Sequence, residues 1–283
     1  MFQNWLLPIK PQDFLPGKLN KYQFGEKIQV HSKKMPKLKN TRIAIIGFED
    51  ADPIRREIYQ MSAPFARNKV ADLGNIRKKE ISFVIPLLKE LMESGILPVL
   101  LSPDPTLTLA QYKAHKNLQR LINLVCIDEK FRFDPEETDK KAFYLNEIVK
   151  GKRSKLYNLG LIGAQTHFIN PKAFDFIDKR QFDCMRLGNA KARLNELEPI
   201  IRDGDLMCFN LSALKRAEIP DQEEASPSGF STEEACQICR YAGMNEKLKS
   251  FGIYQFSSVQ PQSAAAQVTA QLIWYFIEGY FNR

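Results

Sequence analysis

The chain has 283 residues, of which 44% are hydrophobic and 26% are charged, a composition that suits a globular protein with one large core or two modest ones. No apolar run approaches the roughly 20 residues that a helix needs to span a bilayer. We expect no signal peptide, because the opening MFQNWLLPIK is apolar for only a few residues and has no cationic start. The five cysteines form an odd number, which favours a reducing compartment over a disulfide framework. We therefore expect a cytoplasmic protein.

The formal net charge is +8, and part of it lies in a basic stretch at residues 31–42, HSKKMPKLKNTR. Such a stretch can bind nucleic acid or an anionic membrane surface. Here no aromatic residues are interleaved with the cations, and no nucleic-acid-binding motif accompanies them. We interpret the stretch as a solvated linker, and we expect neither a nucleic-acid partner nor a membrane partner.

Predicted helices and strands alternate through most of the chain. Residues 1–40 are rich in proline and poor in periodic apolar positions, so we expect an extended N-terminal arm on an α/β domain at residues 41–283. The apolar runs of that domain predict strands at residues 43–46, 96–104, 124–128, within 155–168, at 205–209 and at 249–259. The helical spacing predicts helices at residues 81–95, 107–122, 189–203, 231–244 and 264–281.

This alternation, with a period of about 30 residues, indicates a single α/β domain. The expected fold is a three-layer α/β/α sandwich, in which helices cover both faces of a mainly parallel sheet.

Two predicted helix ends carry capping signals in the sequence. Gly95 is a C-cap, and Ser231 or Thr232 begins a helix in which Glu234 completes a capping box. The chain ends directly after its last apolar helix, which is compatible with a further C-terminal extension.

Polar side chains follow four of the predicted strands. In a parallel sheet the loops after the strands meet at one edge, so these residues are candidates for one site. They lie in the segments SPDPT, DEKFRF, FNLS and IYQF, and the candidates are Asp104, Asp128, Lys130, Arg132, Asn210, Ser212 and Gln255.

The order and spacing of these segments resemble the ureohydrolases, the family of arginase, agmatinase and formimidoylglutamase. In that family the loops read G-G-D-H-S, D-A-H-x-D and S-x-D-x-D-x-x-D-P, and a later strand ends with glutamate. Residues 71–76, 226–243 and the final helix also fit, and they are similar to a formimidoylglutamase-like branch. The resemblance covers residues 40–283. It implies an arginase-like fold, two manganese ions that activate a bridging water for attack on an amidine or guanidine carbon, and a homo-oligomer.

Most of the family's metal ligands are replaced in this sequence. Asp104 and Asp128 stand at motif aspartates. The other positions carry Pro105 and Lys130 in place of histidines, Arg132, Asn210 and Ser212 in place of aspartates, and Gln255 in place of the late glutamate. Lysine and arginine offer only donors and would repel a cation. We therefore expect no manganese cofactor.

The substitutions also allow a positive interpretation. Lys130 and Arg132 bring two positive charges to the place of the metals, and an ammonium beside Asp128 or Asp104 would neutralise a partly buried carboxylate. We hypothesise that a salt-bridged cluster replaces the metal site, with Lys130 as its test position. The alternative is that these loops are simply solvated.

Two functions from different classes follow. The first is a catalytically degenerate ureohydrolase relative, a binding or scaffold protein whose pocket takes a small anionic or zwitterionic ligand. The second is an active amidine hydrolase of the formimidoylglutamase type. His167 follows a strand and is the candidate acid or base, although a strand-end polar residue without a catalytic role is the commoner case.

Overall fold

A ten-stranded sheet forms the centre of the computed structural model, which describes residues 2–48, 51–67, 69–118, 121–256, 260 and 262–283. The strands in chain order are β1 (Leu6–Leu7), β2 (Gln29–Val30), β3 (Ile43–Gly47), β4 (Val70–Ile76), β5 (Leu97–Ser102), β6 (Ile122–Ile127), β7 (Leu156–Ala164), β8 (Asp183–Arg186), β9 (Leu206–Asn210) and β10 (Ser250–Tyr254).

The strand order is β1-β4-β3-β5-β10-β9-β6-β7-β8, and β2 also pairs with β4. All of these pairs are parallel except β1–β4. The expectation of a mainly parallel sheet is therefore confirmed. Strands β3, β5, β9 and β10 are buried along their whole length, as their nearly continuous apolar sequences require.

Helices cover both faces of the sheet. Their bounds are α1 (Pro11–Phe14), α2 (Phe24–Lys27), α3 (Asp52–Gln60), α4 (Ile81–Glu93), α5 (Thr108–Lys116), α6 (Leu145–Val149), α7 (Pro171–Arg180), α8 (Leu187–Ala192), α9 (Leu197–Arg202), α10 (Thr232–Met244) and α11 (Ala264–Phe281). One apolar core joins the sheet to α3 and α8–α11, and a second core joins the other face to α4–α7. The three-layer sandwich is confirmed. Among the described residues, no helix has the length and apolarity needed to cross a bilayer.

Several elements differ from the sequence-based expectation. Strand β4 was not predicted, because Asp72 and Asn75 interrupt its apolar pattern; inside the fold both bind the buried guanidinium of Arg55. Strand β8 is short and only partly buried, so its residues carry little pattern. The helix expected at residues 189–203 is divided between α8 and α9 by a 3-10 turn. Residues 119–120 of the helix predicted at 107–122 and residues 257–259 of the strand predicted at 249–259 lie outside the described residues.

The N-terminal arm adds structure to the sheet edge. It contains α1 and α2 and is therefore not extended throughout. Strands β1 and β2 pair with the outer side of β4, β1 at its carboxyl end and β2 near its amino end. Gly74 allows the close approach of β1, because a Cβ at its φ of 83° would collide with the carbonyl of Leu7.

Two histidines are more buried than their sequence contexts suggest. His31, expected in a solvated linker, is 5% exposed, and its Nδ1 lies 3.0 Å from the carbonyl oxygen of Leu73. His115 lies in the amphipathic helix predicted at residues 107–122, where a polar residue suggests the surface, but it is fully buried, and its Nε2 lies 2.9 Å from Ser250 Oγ. Both rings are part of the packing of the fold.

The structure confirms the two local helix signals of the sequence. Gly95 follows α4 with a φ of 72°, and its N–H bonds the carbonyl of Met92 at 3.0 Å. Ser231 is the N-cap of α10 and forms the predicted capping box with Glu234. Of the two candidate N-caps, the structure selects Ser231.

Candidate functional site

Four adjacent strands bring the candidate residues to one edge of the sheet. Strands β5, β10, β9 and β6 are consecutive neighbours, and the segments that carry the candidate residues follow their carboxyl ends. Asn210 is the last residue of β9, and Gln255 follows β10 directly. The topology therefore places the four segments side by side, as expected for a parallel sheet.

The side chain of Asp128 is the centre of this site and is 1% exposed. Its Oδ2 accepts hydrogen bonds from Arg132 Nε at 2.8 Å and from Asn210 Nδ2 at 2.5 Å. Its Oδ1 accepts from the backbone N–H of Lys130 at 3.0 Å and contacts Ser212 Oγ at 3.3 Å. These donors offset the free-energy cost of burying the carboxylate.

Arg132 supplies the positive charge that neutralises Asp128. Its side chain is 11% exposed, and although burial acts in the opposite direction, the carboxylate of Asp128 raises the pKa of the guanidinium above its ordinary value. Burial alone would lower that pKa, so the raised value reflects the carboxylate. A salt bridge is thus present in this cluster, and its cation is Arg132.

Lys130, the expected partner, points elsewhere. Its ammonium lies 3.3 Å from Glu129 Oε1 and 5.3 Å from the centre of the Phe168 ring. The bond from its backbone N–H to Asp128 Oδ1 turns the chain after β6, so that position 132 faces the carboxylate. The expectation that the Lys130 ammonium pairs with Asp128 or Asp104 was wrong for this reason.

Gln255 closes the far side of the cluster. Its Oε1 accepts from Arg132 Nη2 at 3.0 Å and from Ser212 Oγ at 2.9 Å, and its Nε2 donates to Glu224 Oε2 at 2.8 Å. The backbone of Gln255 has a φ of 62°, which is uncommon for a residue with a side chain. Its hydrogen bonds to Arg132 and Ser212 help to hold this conformation.

Asp104 lies apart from the salt-bridged cluster. It is exposed, and its Oδ1 accepts from the backbone N–H of Thr106 at 2.9 Å, where it caps a 3-10 turn. It shares a cavity of about 450 Å³ with Arg132 and Gln255. Asp104 therefore lines the same cavity as Arg132 and Gln255, two members of the cluster.

His167 does not join these residues. It lies in an exposed 3-10 turn after β7, and its ring contacts that of Phe168 with 4.2 Å between ring centres. No hydrogen bond or ion pair of its side chain is present within the described part of the chain. The geometry offers no base or acid partner for it at the cluster.

Two buried polar atoms near Asp128 have no hydrogen-bond partner among the described residues, and one of them belongs to Glu129, which the sequence does not single out. Glu129 is 1% exposed, and its Oε2 makes no hydrogen bond to the described residues. Burial raises the pKa of this carboxyl, and Lys130 only partly offsets the effect. Asn210 Oδ1 is likewise buried without a partner among those residues. Glu129 follows Asp128 directly, but no sequence pattern indicates which way it points.

The residues at this edge do not fit a binuclear manganese centre. Arg132, Asn210 and the backbone of Lys130 direct N–H donors at Asp128, where two divalent cations would need acceptors. Several anionic oxygens or imidazoles are required to hold such ions. Across the described ranges, no group of three or more histidine, cysteine, aspartate or glutamate side chains is arranged to hold a metal ion.

Comparisons with known proteins identify the fold. Neither a protein-family model nor the sequence of a curated protein matches the chain. Among solved structures, formimidoylglutamase from Bacillus subtilis is 12% identical with a TM-score of 0.79, covering 94% of this chain and 95% of that one. Formiminoglutamase from Trypanosoma cruzi, with Mn²⁺, is 13% identical with a TM-score of 0.76, covering 98% and 100%.

A third solved structure extends the same similarity. The agmatine ureohydrolase of Thermoplasma volcanium is 16% identical with a TM-score of 0.68, covering 87% of this chain and 92% of that one. The arginase-like fold expected from the sequence is therefore confirmed. At these identities the likeness concerns the fold, and function has to be argued from the site.

Proposed function

We propose that this chain is a catalytically degenerate protein of the ureohydrolase fold that acts by binding rather than by hydrolysis. One observation carries the proposal: the guanidinium of Arg132 lies against Asp128, at 2.8 Å between Nε and Oδ2, in the place that the resemblance assigns to metal ions. Its positive charge is fixed, and it takes up the carboxylate that is best placed to bind a cation.

The remaining polar groups support the same interpretation. Asn210 donates to Asp128 through Nδ2, and Ser212 and Arg132 both donate to Gln255 Oε1. The cluster is a closed network of neutral and paired groups, which has little capacity left for two divalent cations. We propose that it holds the loops of β6, β9 and β10 together and forms the floor of a pocket for a small anionic or zwitterionic ligand.

Metal content and hydrolysis test this proposal against its alternative, an active amidine hydrolase. That alternative is supported by the fold that the chain shares with formimidoylglutamases and an agmatine ureohydrolase. We expect less than about 0.1 manganese ion per chain by elemental analysis after incubation with Mn²⁺. We also expect no ammonia, urea or formamide from a panel of guanidines and formimino compounds. About two ions per chain with product release would overturn the proposal.

A double-mutant cycle tests whether the ion pair replaces the metals structurally. Arg132→Met leaves a buried carboxylate without its cation, so we expect the free energy of unfolding to fall by about 3–5 kcal/mol in chemical denaturation. Adding Asp128→Asn removes that charge and should recover much of the loss. The matched control is Arg202→Met, which removes the cation of an exposed ion pair with Glu198 on α9; we expect a change within about 1 kcal/mol. Equal losses at positions 202 and 132 would contradict this assignment.

Cell compartment and assembly are further parts of the proposal. All five cysteines are free, which suits a reducing compartment, and we propose that the protein is cytoplasmic. We retain the expectation of no nucleic-acid or membrane partner, and we propose a homo-oligomer by analogy with the fold. Light scattering after size-exclusion chromatography measures the assembly directly.

A further inference from the structure

A basic surface lies at the sheet edge that carries the N-terminal arm. We call it the basic edge, and it consists of six exposed cations in two segments of the chain: Lys33, Lys34, Lys37 and Lys39 in the first, and Arg77 and Lys78 in the second. None of them forms an ion pair with a described residue. Neither residues 31–42 nor residues 77–79 contain a carboxylate side chain. The local charge is therefore positive and not balanced within these segments.

The first segment is fixed to the body of the protein. His31 is 5% exposed, and its Nδ1 lies 3.0 Å from the carbonyl oxygen of Leu73 in β4. Met35 and Leu38 pack against the second core, and the backbone N–H of the buried Thr41 donates to the carbonyl of Leu38 at 3.0 Å. These anchoring residues are interspersed with the lysines. The basic stretch is thus a packed segment rather than a free linker, and it holds its lysines on the outside.

The second segment lies on the same side of the same edge. It follows β4 directly, and the backbone N–H of Arg77 donates to the carbonyl of Trp5 in the arm at 3.0 Å. The ammonium of Lys78 lies 5.6 Å from the centre of the Phe83 ring, which packs against the same core as Met35. The two segments therefore form one surface.

We propose that the basic edge binds an acidic segment of another protein. Cations that are held close together without partners repel one another, and a ligand of opposite charge relieves this repulsion. Because the backbone beneath the lysines is already fixed, binding has little ordering cost on this side. Residues 33–39 span at most about 20 Å, so an extended run of about six to eight aspartate or glutamate residues would cover them.

The composition of the basic edge favours carboxylates over nucleic acid. Five of its six cations are lysines, which lack the planar fork that lets arginine bind a phosphate through two hydrogen bonds. Residues 31–42 and 77–79 contain no phenylalanine, tyrosine or tryptophan, so these segments offer no platform on which bases could stack.

This surface is separate from the cluster at Asp128. Strand β3 lies between β4 and the four strands that carry the cluster, and the two sites share no residue. Binding at the basic edge goes beyond the proposed function and does not depend on it. Metal content and hydrolysis therefore leave the outcome of the following test unaffected.

Fluorescence anisotropy with labelled octaglutamate and the full chain tests the partner class. We expect binding that weakens at least about tenfold between about 50 mM and 200 mM salt, because the contacts are exposed and screened. An oligothymidylate of the same charge and phosphatidylserine vesicles are the comparison probes. Absence of octaglutamate binding at the lower salt concentration would overturn the proposal. Tighter binding of either comparison probe would overturn the assignment to an acidic protein segment.

Two variants of equal net charge locate the binding surface. Replacing the four lysines of the first segment by serine (Lys33→Ser, Lys34→Ser, Lys37→Ser, Lys39→Ser) should weaken octaglutamate binding at least about tenfold. Arginine at the same four positions should retain binding, since the charge is kept. The control carries Lys140→Ser, Lys141→Ser, Lys152→Ser and Lys179→Ser, at exposed lysines that form no ion pair with a described residue. We expect its affinity to stay within about twofold of wild type. Equal losses in the two serine variants would show an effect of net charge alone and would contradict the proposal.

Discussion

Asp128 and Glu129 are neighbours in the chain and equally buried, but their carboxylates have very different partners. Asp128 accepts from Arg132, Asn210 and a backbone N–H. Glu129 contacts only the half-buried ammonium of Lys130, and one of its oxygens has no partner among the described residues. The free-energy cost of burying a charged carboxylate is therefore less well offset at Glu129, and burial raises the pKa of this group.

This difference predicts a pH-dependent effect of Glu129→Gln. A carboxyl with a raised folded-state pKa holds its proton more strongly in the folded protein, so the wild type loses stability as pH rises above the ordinary value of 4.5. Glutamine has no such loss. We expect the unfolding free energy of the variant, relative to wild type, to increase between pH 4 and pH 7 in chemical denaturation. Glu137→Gln, at an exposed carboxyl that forms no ion pair with a described residue, is the control for general charge effects. A difference that stays constant or falls would contradict the assignment.

For individual residues, the sequence identifies which side chains belong to the site but not which of them pair with each other. Asp128, Asn210, Ser212 and Gln255 are recognisable because they follow strands that the topology brings together. Whether position 130 or 132 faces Asp128 depends on a turn formed by one backbone N–H. Such a turn has no clear sequence pattern, because lysine and arginine are both compatible with an exposed or a paired position.

Helix α5 is joined to the centre of the sheet by a buried polar network. Gln111 Nε2 and His115 Nε2 lie 3.1 Å and 2.9 Å from Ser250 Oγ, and Tyr254 OH donates to Gln111 Oε1 at 2.7 Å. Because α4 and α6 also pack against α5, its polar residues lie inside the protein. An amphipathic pattern alone assigns them to the surface, so the burial of His115 does not follow from the sequence.

We predict that Ser250→Ala destabilises the protein through this network. The hydroxyl is fully buried and meets two polar side chains, so its removal takes a buried partner from each of them. We expect the free energy of unfolding to fall by about 1–3 kcal/mol in urea denaturation. Ser82→Ala, at an exposed position of α4, should change it by less than about 0.5 kcal/mol. Equal effects of the two substitutions would show that the network adds no stability.

For the whole molecule, the alternation of strands and helices is sufficient to predict the layers. The order of the strands is not predicted by it, since local patterns do not show which parallel strands are adjacent. The arm was the least predictable part. Strands β1 and β2 have only two residues each, and they form because β4 offers an unpaired outer side.

Removing residues 1–40 should therefore expose the outer backbone of β4. We expect the truncated protein to self-associate, with a larger mass by light scattering and faster aggregation on warming. The control is the full chain with Lys33→Ala and Lys34→Ala, which changes exposed charges of the arm and leaves its strands intact. A truncated protein of unchanged mass and stability would show that the arm does not protect this edge.

The pairing of Arg132 with Asp128 makes the site difficult to change one residue at a time. Arg132→Asp alone would place two carboxylates together without their cation. Asn210→Asp alone would turn a 2.5 Å hydrogen bond into a contact between like charges. Each single step towards a metal-binding set therefore passes through a less stable protein, unless a cation binds at that same step. Engineering a hydrolase on this scaffold would require several of these positions to be replaced together.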